Sequence, residues 1–185
     1  MPALFTVLFG TGCRIGEVIG LRWDDLDYEK RQISINHAVI YRIMENGKAE
    51  FHVSTPKTKA GKRKIPMMEA VYQAFRDEYE AQKESGFNIE ICDGMSGFVF
   101  ANRNGGLHNP ANINRAIRRI YEAYNAEEII KAKKEKRVPI LIPHFSCHHM
   151  RHTFCTRLCE VEENIKVAQD IMGHADIGTT LNIYA

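Results

Sequence analysis

The hydrophobic pattern changes its period between residues 33 and 66, and this change constrains the fold more than any other feature of the chain. The Asn46-Gly47 pair is a strong hairpin signal, and Ala60-Gly61 indicates a second turn. Around these turns apolar residues alternate with polar neighbours, as in half-buried strands, at Ile33, Ile35, Val39, Tyr41, Ile43, Phe51 and Val53. Residues 33–66 therefore predict a small antiparallel sheet of three strands.

Helical spacing governs most of the remaining sequence. It predicts helices over 3–10, 14–21, about 71–85, 109–124, 146–160, 164–172 and 176–184. The charged residues 127–138 interrupt this pattern and predict an exposed excursion. The fold class is therefore α+β and mainly α, with one small three-stranded antiparallel sheet.

The length of 185 residues fits a single domain spanning 1–185. No stretch approaches the roughly 20 apolar residues that cross a bilayer, so no membrane association is expected. The cysteines are odd in number and lack the spacing of a disulfide scaffold, at Cys13, Cys92, Cys147, Cys155 and Cys159. Reduced thiols in a cytoplasmic protein are the resulting expectation.

Positive charge is clustered although the net charge is only +2. The first cluster contains no acid and comprises Lys57, Lys59, Lys62, Arg63 and Lys64. The second runs from Lys131 to Arg137 and is diluted by Glu135. Such clusters either bind phosphate or form a solvated face. For the second cluster we expect solvent or a contact between subunits.

Four short polar segments occur in a fixed order. They are Thr11-Gly12-Cys13-Arg14-Ile15-Gly16-Glu17, then Pro56-Lys57-Thr58-Lys59, then His148-His149-Met150-Arg151-His152, and finally Met172-Gly173-His174 with Tyr184 after it. Each segment alone is weak, because a His-x-x-Arg pair on one helix face is common. Together they resemble the tyrosine recombinase, or phage integrase, family, over nearly the whole chain. The resemblance is to the members from phages and conjugative transposons.

This resemblance implies a helical DNA breaking–rejoining catalytic domain that performs site-specific recombination for a phage or an integrative element. It implies Tyr184 as nucleophile, forming a covalent 3′-phosphotyrosyl link. Arg14 and Arg151 match the two arginines of the family, His174 a third phosphate contact, and His148 the position that assists proton transfer. Neither a cofactor nor a metal ion is expected.

Physical chemistry explains these residue types. Charge builds on the non-bridging oxygens during cleavage, and an arginine fork binds such oxygens bidentately. Histidine transfers protons near neutral pH. Tyrosine has an ordinary pKa of about 10, so it needs a positive pocket to act as a nucleophile.

In the family the general acid is a lysine on the hairpin. Lys57 is the first choice and Lys59 the alternative. Glu17 matches the acidic residue of the first motif, and we expect it to orient Arg14. Lys59, Lys62 and Arg63 are predicted to contact DNA.

Two departures from the family pattern stand out. The spacing from His174 to Tyr184 is ten residues, where many members have nine. The chain also begins almost at the first motif and ends one residue after Tyr184. We therefore expect an excised catalytic domain, without N-terminal DNA-binding domains or a C-terminal tail. The expected partners of the full-length protein are duplex attachment sites, three further copies in a tetramer on DNA, and accessory excision or DNA-bending proteins.

Three alternatives remain open from the residues alone. A zinc site could use the crowded ligands Cys147, His148, His152, Cys155 and Cys159, although one helix would carry nearly all of them. A degenerate recombinase could bind DNA without cleaving it. A type IB topoisomerase shares the chemistry, but the compact size and the Gly-His…Tyr ending favour a recombinase.

Overall fold

The computed structural model describes residues 2–45, 47–56 and 58–184, apart from the side chains of Lys59 and Tyr184. Two helices come first, α1 (Pro2–Thr11) and α2 (Ile15–Gly20). Five short strands follow: β1 (Leu26–Asp27), β2 (Gln32–Ile35), β3 (Ala38–Ile43), β4 (Ala49–Ser54) and β5 (Arg63–Pro66). The remaining helices are α3 (Glu69–Ser85), α4 (Pro110–Glu135), α5 (Cys147–Val161), α6 (Ile165–Met172) and α7 (Ile177–Tyr184).

The mainly helical fold with a small three-stranded antiparallel sheet is confirmed, but the strands are distributed differently from the prediction. The three-stranded sheet has the order β1-β2-β5, and β2 pairs with β5 through Ile33 opposite Ile65. Strands β3 and β4 form a separate two-stranded hairpin. Its predicted turn is present, with Gly47 at a φ of 76°, whereas Asn46 lies outside the described residues.

One hydrophobic core joins the first helices, the sheet and α3. Burial is complete or nearly so at Leu4, Val7, Leu8, Val18, Ile19, Ile33, Ile65, Val71, Phe75 and Phe98. Helix α2 packs against β3, α6 packs against β5, and α1 packs against α3 and α5, so the elements that carry the polar segments meet around this core. The core therefore fixes where the site residues can lie.

Helix α4 is longer than the sequence pattern indicated. It begins as predicted, with Pro110 in its first turn and Asn109 accepting a hydrogen bond from the Ala111 N–H at 2.8 Å. It does not end near Tyr124 but continues to Glu135. The prediction of an excursion over 127–138 was therefore wrong for its first nine residues. The reason is tertiary, since side chains of the added turns bind the chain that returns along them.

None of the helices in the described part of the chain is both long and apolar enough to cross a membrane.

Candidate active site

The first polar segment is organised around one buried carboxylate. Arg14 precedes α2, and its main-chain N–H donates to Oε2 of Glu17 at 2.8 Å. Its guanidinium donates to Oε1 of Glu17 at 3.0 Å. The Glu17 side chain is only 6% exposed, whereas that of Arg14 is 49% exposed. Glu17 therefore holds the Arg14 guanidinium from its buried side, while the rest of the guanidinium stays accessible to solvent.

Arg63 lies at the start of β5 and ends on the same carboxylate. Its Nη1 and Nη2 donate to the two oxygens of Glu17 at 3.0 and 2.9 Å. Its Nε donates to the carbonyl of Ile171 at 2.7 Å, so the side chain links β5, α2 and the end of α6. The sequence predicted DNA contact for Arg63. The structure instead gives its 5%-exposed side chain contacts inside the protein.

The pKa values of this pair move in opposite directions. Burial alone would raise the pKa of Glu17 and lower that of Arg63. The hydrogen bonds and the charge attraction between the two groups outweigh burial. The pKa of Glu17 is therefore lowered, and that of Arg63 is raised.

Glu17→Gln should destabilise the fold by about 3–5 kcal/mol at neutral pH, because it leaves the buried Arg63 cation without a carboxylate. The free energy of unfolding, measured in urea, checks this. The matched control is Glu80→Gln, which breaks an exposed pair with Lys83 and should cost less than about 1 kcal/mol. Equal small losses in both variants would show that the Glu17–Arg63 pair does not hold the site together.

Arg151 on α5 is the second buried arginine of the site. Its Nη1 donates to the carbonyl of Gly12 at 2.5 Å and its Nη2 to the carbonyl of Met172 at 2.6 Å. Both of these acceptors are main-chain carbonyls, and within the described residues Arg151 forms no ion pair with a carboxylate. Burial, and then the charge of Arg14, lower the pKa of Arg151 to about 10. A bound anion would relieve both effects.

Two glycines, Gly12 and Gly173, allow the main chain to lie close to the side chains packed around the site. Gly12 has a φ of +61°, and a Cβ there would lie 2.3 Å from the Phe154 ring. Gly173 has a φ of +66°, and a Cβ there would lie 2.8 Å from Nη1 of Arg63. A side chain at either position would therefore be strained, and it would displace Phe154 at residue 12 or Arg63 at residue 173.

His174 follows α6 and is buried beside the arginines. Its Nδ1 lies 2.9 Å from the hydroxyl of Thr180 on α7. When that hydroxyl donates to Nδ1, the neutral ring carries its proton on Nε2 and can donate it to a ligand. Burial, and then the charges of Arg151 and Arg14, lower the pKa of His174 to about 4. The imidazole is therefore neutral at physiological pH.

This neutral histidine predicts a loss of stability in acid. Between pH 6.5 and 4 the unfolded chain binds a proton at residue 174 and the folded chain does not, so the free energy of unfolding falls as the pH falls. The contribution should reach about 3 kcal/mol near pH 4. Urea titrations of wild type and His174→Gln at several pH values check this. Parallel pH profiles for the two proteins would contradict it.

The other predicted residues are exposed or lie partly or wholly outside the described part of the chain. His148 is exposed on α5, and its ring centroid lies 4.3 Å from that of His152. Lys62 is exposed. Lys57 lies outside the described residues, and Lys59 is placed only by its main chain, in a single helical turn. Tyr184 is the last residue of α7, and its side chain is not described.

The structure thus joins three arginines, one carboxylate and one neutral histidine from distant parts of the chain. Arg14, Arg63 and Arg151 outnumber Glu17, so the cluster carries an excess of positive charge. Part of it is buried, which strengthens its attraction for an anion. The geometry suits a phosphate group facing Arg14, Arg151 and His174.

Sequence reasoning missed Thr180 and gave Arg63 a different role. Thr180 lies between His174 and Tyr184, yet its spacing from His174 does not reveal the hydrogen bond. Arg63 was noticed for its charge and assigned to DNA, because a sequence does not show which basic side chains are buried. The glycine of each Thr-Gly and Gly-His pair was the available signal for close packing.

The alternative zinc site is not favoured by the geometry. Within the residues that the structure describes, no three His, Cys, Asp or Glu side chains are placed to hold a metal ion. Cys147 and Cys155 are buried, and burial raises the pKa of both thiols to about 11.

A family model described as the phage integrase family matches residues 2–185. The chain belongs to the phage integrase family. The transposase from transposon Tn916 of Enterococcus faecalis is 37% identical over 179 residues, which cover 97% of this chain and 40% of the relative. The integrase of Staphylococcus phage L54a is 28% identical, covering 94% of this chain and 44% of its own length. The chain therefore spans less than half of these curated relatives.

Solved structures of the phage integrase family agree with the fold. The Tn1549 transposon integrase, solved in complex with a circular intermediate DNA, superposes with a TM-score of 0.83 and 36% identity, covering 99% of this chain and 53% of that chain. XerA recombinase superposes with a TM-score of 0.65 at 23% identity, covering 98% of this chain and 51% of that one. The second likeness concerns the fold alone.

Proposed function

We propose that this chain is the catalytic domain of a site-specific DNA recombinase that integrates a phage or another mobile element. It cuts one strand of a duplex at an attachment site, holds the 3′ end as a phosphotyrosine and passes it to a partner duplex. Its family membership and its likeness to a DNA-bound transposon integrase support this proposal. In the longer protein, four copies on DNA and accessory excision or DNA-bending proteins complete the reaction in the cytoplasm.

The observation that carries the proposal is the buried guanidinium of Arg151, which donates to two carbonyls and, among the described residues, pairs with no carboxylate. A scissile phosphate supplies the missing negative charge. Arg151 and Arg14 then face the non-bridging oxygens, where charge increases in the transition state. His174 donates from Nε2 to the same group. Glu17 and Arg63 act as positioning residues, since they hold Arg14 and the end of α6.

The proposed chemistry balances without a cofactor. The Tyr184 oxygen forms a bond to phosphorus, and the bond from phosphorus to the 5′-oxygen breaks. Lys57 donates a proton to that leaving oxygen, and His148 assists proton transfer by accepting the proton that the Tyr184 hydroxyl releases. The phosphotyrosine conserves the energy of the broken phosphodiester, so the 5′-hydroxyl of a partner strand can reverse the reaction. Because side chains supply the positive charge, the proposed mechanism requires no metal ion.

The choice between Lys57 and Lys59 has its own test. A substrate with sulfur in place of the 5′-bridging oxygen has a leaving group that needs no proton. The Lys57→Ala variant should therefore cleave the oxygen substrate about 10²–10⁴-fold more slowly than wild type. It should cleave the sulfur substrate at nearly the wild-type rate. Lys59→Ala is the matched control and should not show this rescue. Rescue of Lys59→Ala alone would reverse the assignment.

The proposed function is tested with a nicked duplex that carries the attachment site of the element, incubated with protein in a chelator. Loss of the short fragment beyond the nick traps the covalent intermediate, which a denaturing gel resolves as a protein–DNA band. The band and strand transfer to a second duplex are expected. Binding without a band would indicate a DNA-binding protein without catalysis, and a band without strand transfer would indicate a topoisomerase.

A further inference from the structure

The end of α4 and the chain that returns along it form an arm, defined as residues 126–142. Asn125 fixes the returning chain, because its amide pairs with both the N–H and the carbonyl of Ile142, each at 2.8 Å. Glu128 accepts from the Ile140 N–H at 2.9 Å and from Arg137 at 3.0 Å. The backbone of the arm is therefore held in one conformation.

The surface of the arm is apolar and basic. Val138 is 83% exposed and Ile140 is 74% exposed, and Ile129, Ile130 and Leu141 are also exposed. Around them are four exposed lysines, Lys131, Lys133, Lys134 and Lys136. Ordered apolar side chains at this exposure are typical of a contact surface. The cleavage site described above uses none of these residues.

A second surface with the opposite charge follows α3, and it is defined here as the ridge, residues 87–93. Ile89 is 87% exposed and Ile91 is 68% exposed. The Phe87 ring anchors the ridge, with its centroid 5.2 Å from that of Tyr79. Residues 84–102 contain no Lys or Arg, and their acids are Glu84, Glu90 and Asp93. The ridge is therefore apolar and acidic.

The two surfaces lie at opposite ends of α4. The Glu90 carboxylate lies 3.1 Å from where a Cβ of Gly106 would be, just before α4 begins. The arm includes the last turns of the helix, twenty residues beyond its first, or roughly 30 Å away at 1.5 Å per residue. The arm and the ridge of one copy therefore cannot cover each other.

We propose that the arm of one copy docks on the ridge of a second copy of this chain. Both surfaces are apolar, and the lysines of one face the acids of the other. Because the two surfaces differ, the contact is head-to-tail, and it generates either a closed ring or a growing chain. The contact does not depend on the cleavage reaction. In the recombinase proposed above it joins neighbouring copies on DNA.

Mixing of complementary variants tests this arrangement. Ile140→Glu disables the arm and Ile89→Glu disables the ridge, and both positions are exposed enough for the fold to persist. Wild type should self-associate with a dissociation constant on the order of 10 µM, weakened by salt, in sedimentation velocity. Each variant alone should be monomeric. An equimolar mixture should give dimers and nothing larger, because one intact arm meets one intact ridge.

The matched control is Ile43→Glu on β3, which is also 74% exposed but lies outside both surfaces. It should self-associate like wild type. Wild type that stays monomeric at every concentration would overturn the proposal, as would unchanged association in either single variant or a mixture that remains monomeric. The double variant with Lys133→Glu and Lys134→Glu distinguishes this proposal from the remaining alternative, in which the arm contacts DNA. Loss of DNA binding with unchanged self-association would mean that the arm faces DNA.

Discussion

Tyr184→Phe should eliminate the covalent protein–DNA band and reduce strand cleavage on the order of 10⁴-fold or more. The substitution removes one oxygen, the atom proposed to attack phosphorus, and keeps the aromatic ring. DNA affinity should therefore stay within about twofold of wild type, because phosphate contacts by basic side chains dominate binding. Denaturing gels of the nicked substrate measure cleavage, and a mobility-shift titration measures binding.

Tyr124→Phe is the matched control for this experiment. Tyr124 is 44% exposed on α4 and has no place in the proposed reaction, so the variant should cleave like wild type. A covalent band that survives Tyr184→Phe would show that another residue is the nucleophile. The ten-residue spacing from His174 makes this test necessary, since many family members have nine.

Arg151→Lys should reduce cleavage by about 10²–10³-fold or more, because a lysine cannot present two N–H groups to the phosphate in the fixed geometry of a guanidinium. The effect of Arg151→Lys on the free energy of unfolding should be smaller than its effect on cleavage. Lysine keeps the positive charge, and its ammonium can still donate to the carbonyl of Gly12 or to that of Met172. About one hydrogen bond is therefore lost, so the free energy of unfolding should fall by less than about 2 kcal/mol.

An anion measurement separates binding from folding in this variant. Inorganic phosphate or vanadate should raise the Tm of wild type, since an anion relieves the buried charge of Arg151. The shift should be much smaller for Arg151→Lys. Arg157→Lys, on the exposed side of the same helix and paired with Glu160, should retain the wild-type shift and the wild-type cleavage rate. Cleavage by Arg151→Lys within tenfold of wild type would remove Arg151 from the phosphate site.

Local pattern in the sequence was sufficient for most of the helices and for the hairpin turn. Helices α3, α5, α6 and α7 lie within about two residues of their predicted ranges, because apolar spacing and capping are local properties. The end of α4 was missed for the same reason. Charged residues after Tyr124 give no apolar stripe, and the helix continues because Asn125 and Glu128 bind a chain segment more than ten residues away.

The sequence by itself determined the family, the order of the polar segments and the identities of the candidate catalytic residues. Only the tertiary structure decided how strands pair, because alternation shows that a strand has two faces but not which partner it has. The tertiary structure was also needed to show that the three arginines differ in burial and in hydrogen-bond partners. Arg14 is half-exposed, whereas Arg63 and Arg151 are buried, and they bind a carboxylate and carbonyls respectively. Burial and long-range hydrogen bonds depend on contacts between residues as far apart as Gly12 and Arg151, which local spacing does not contain.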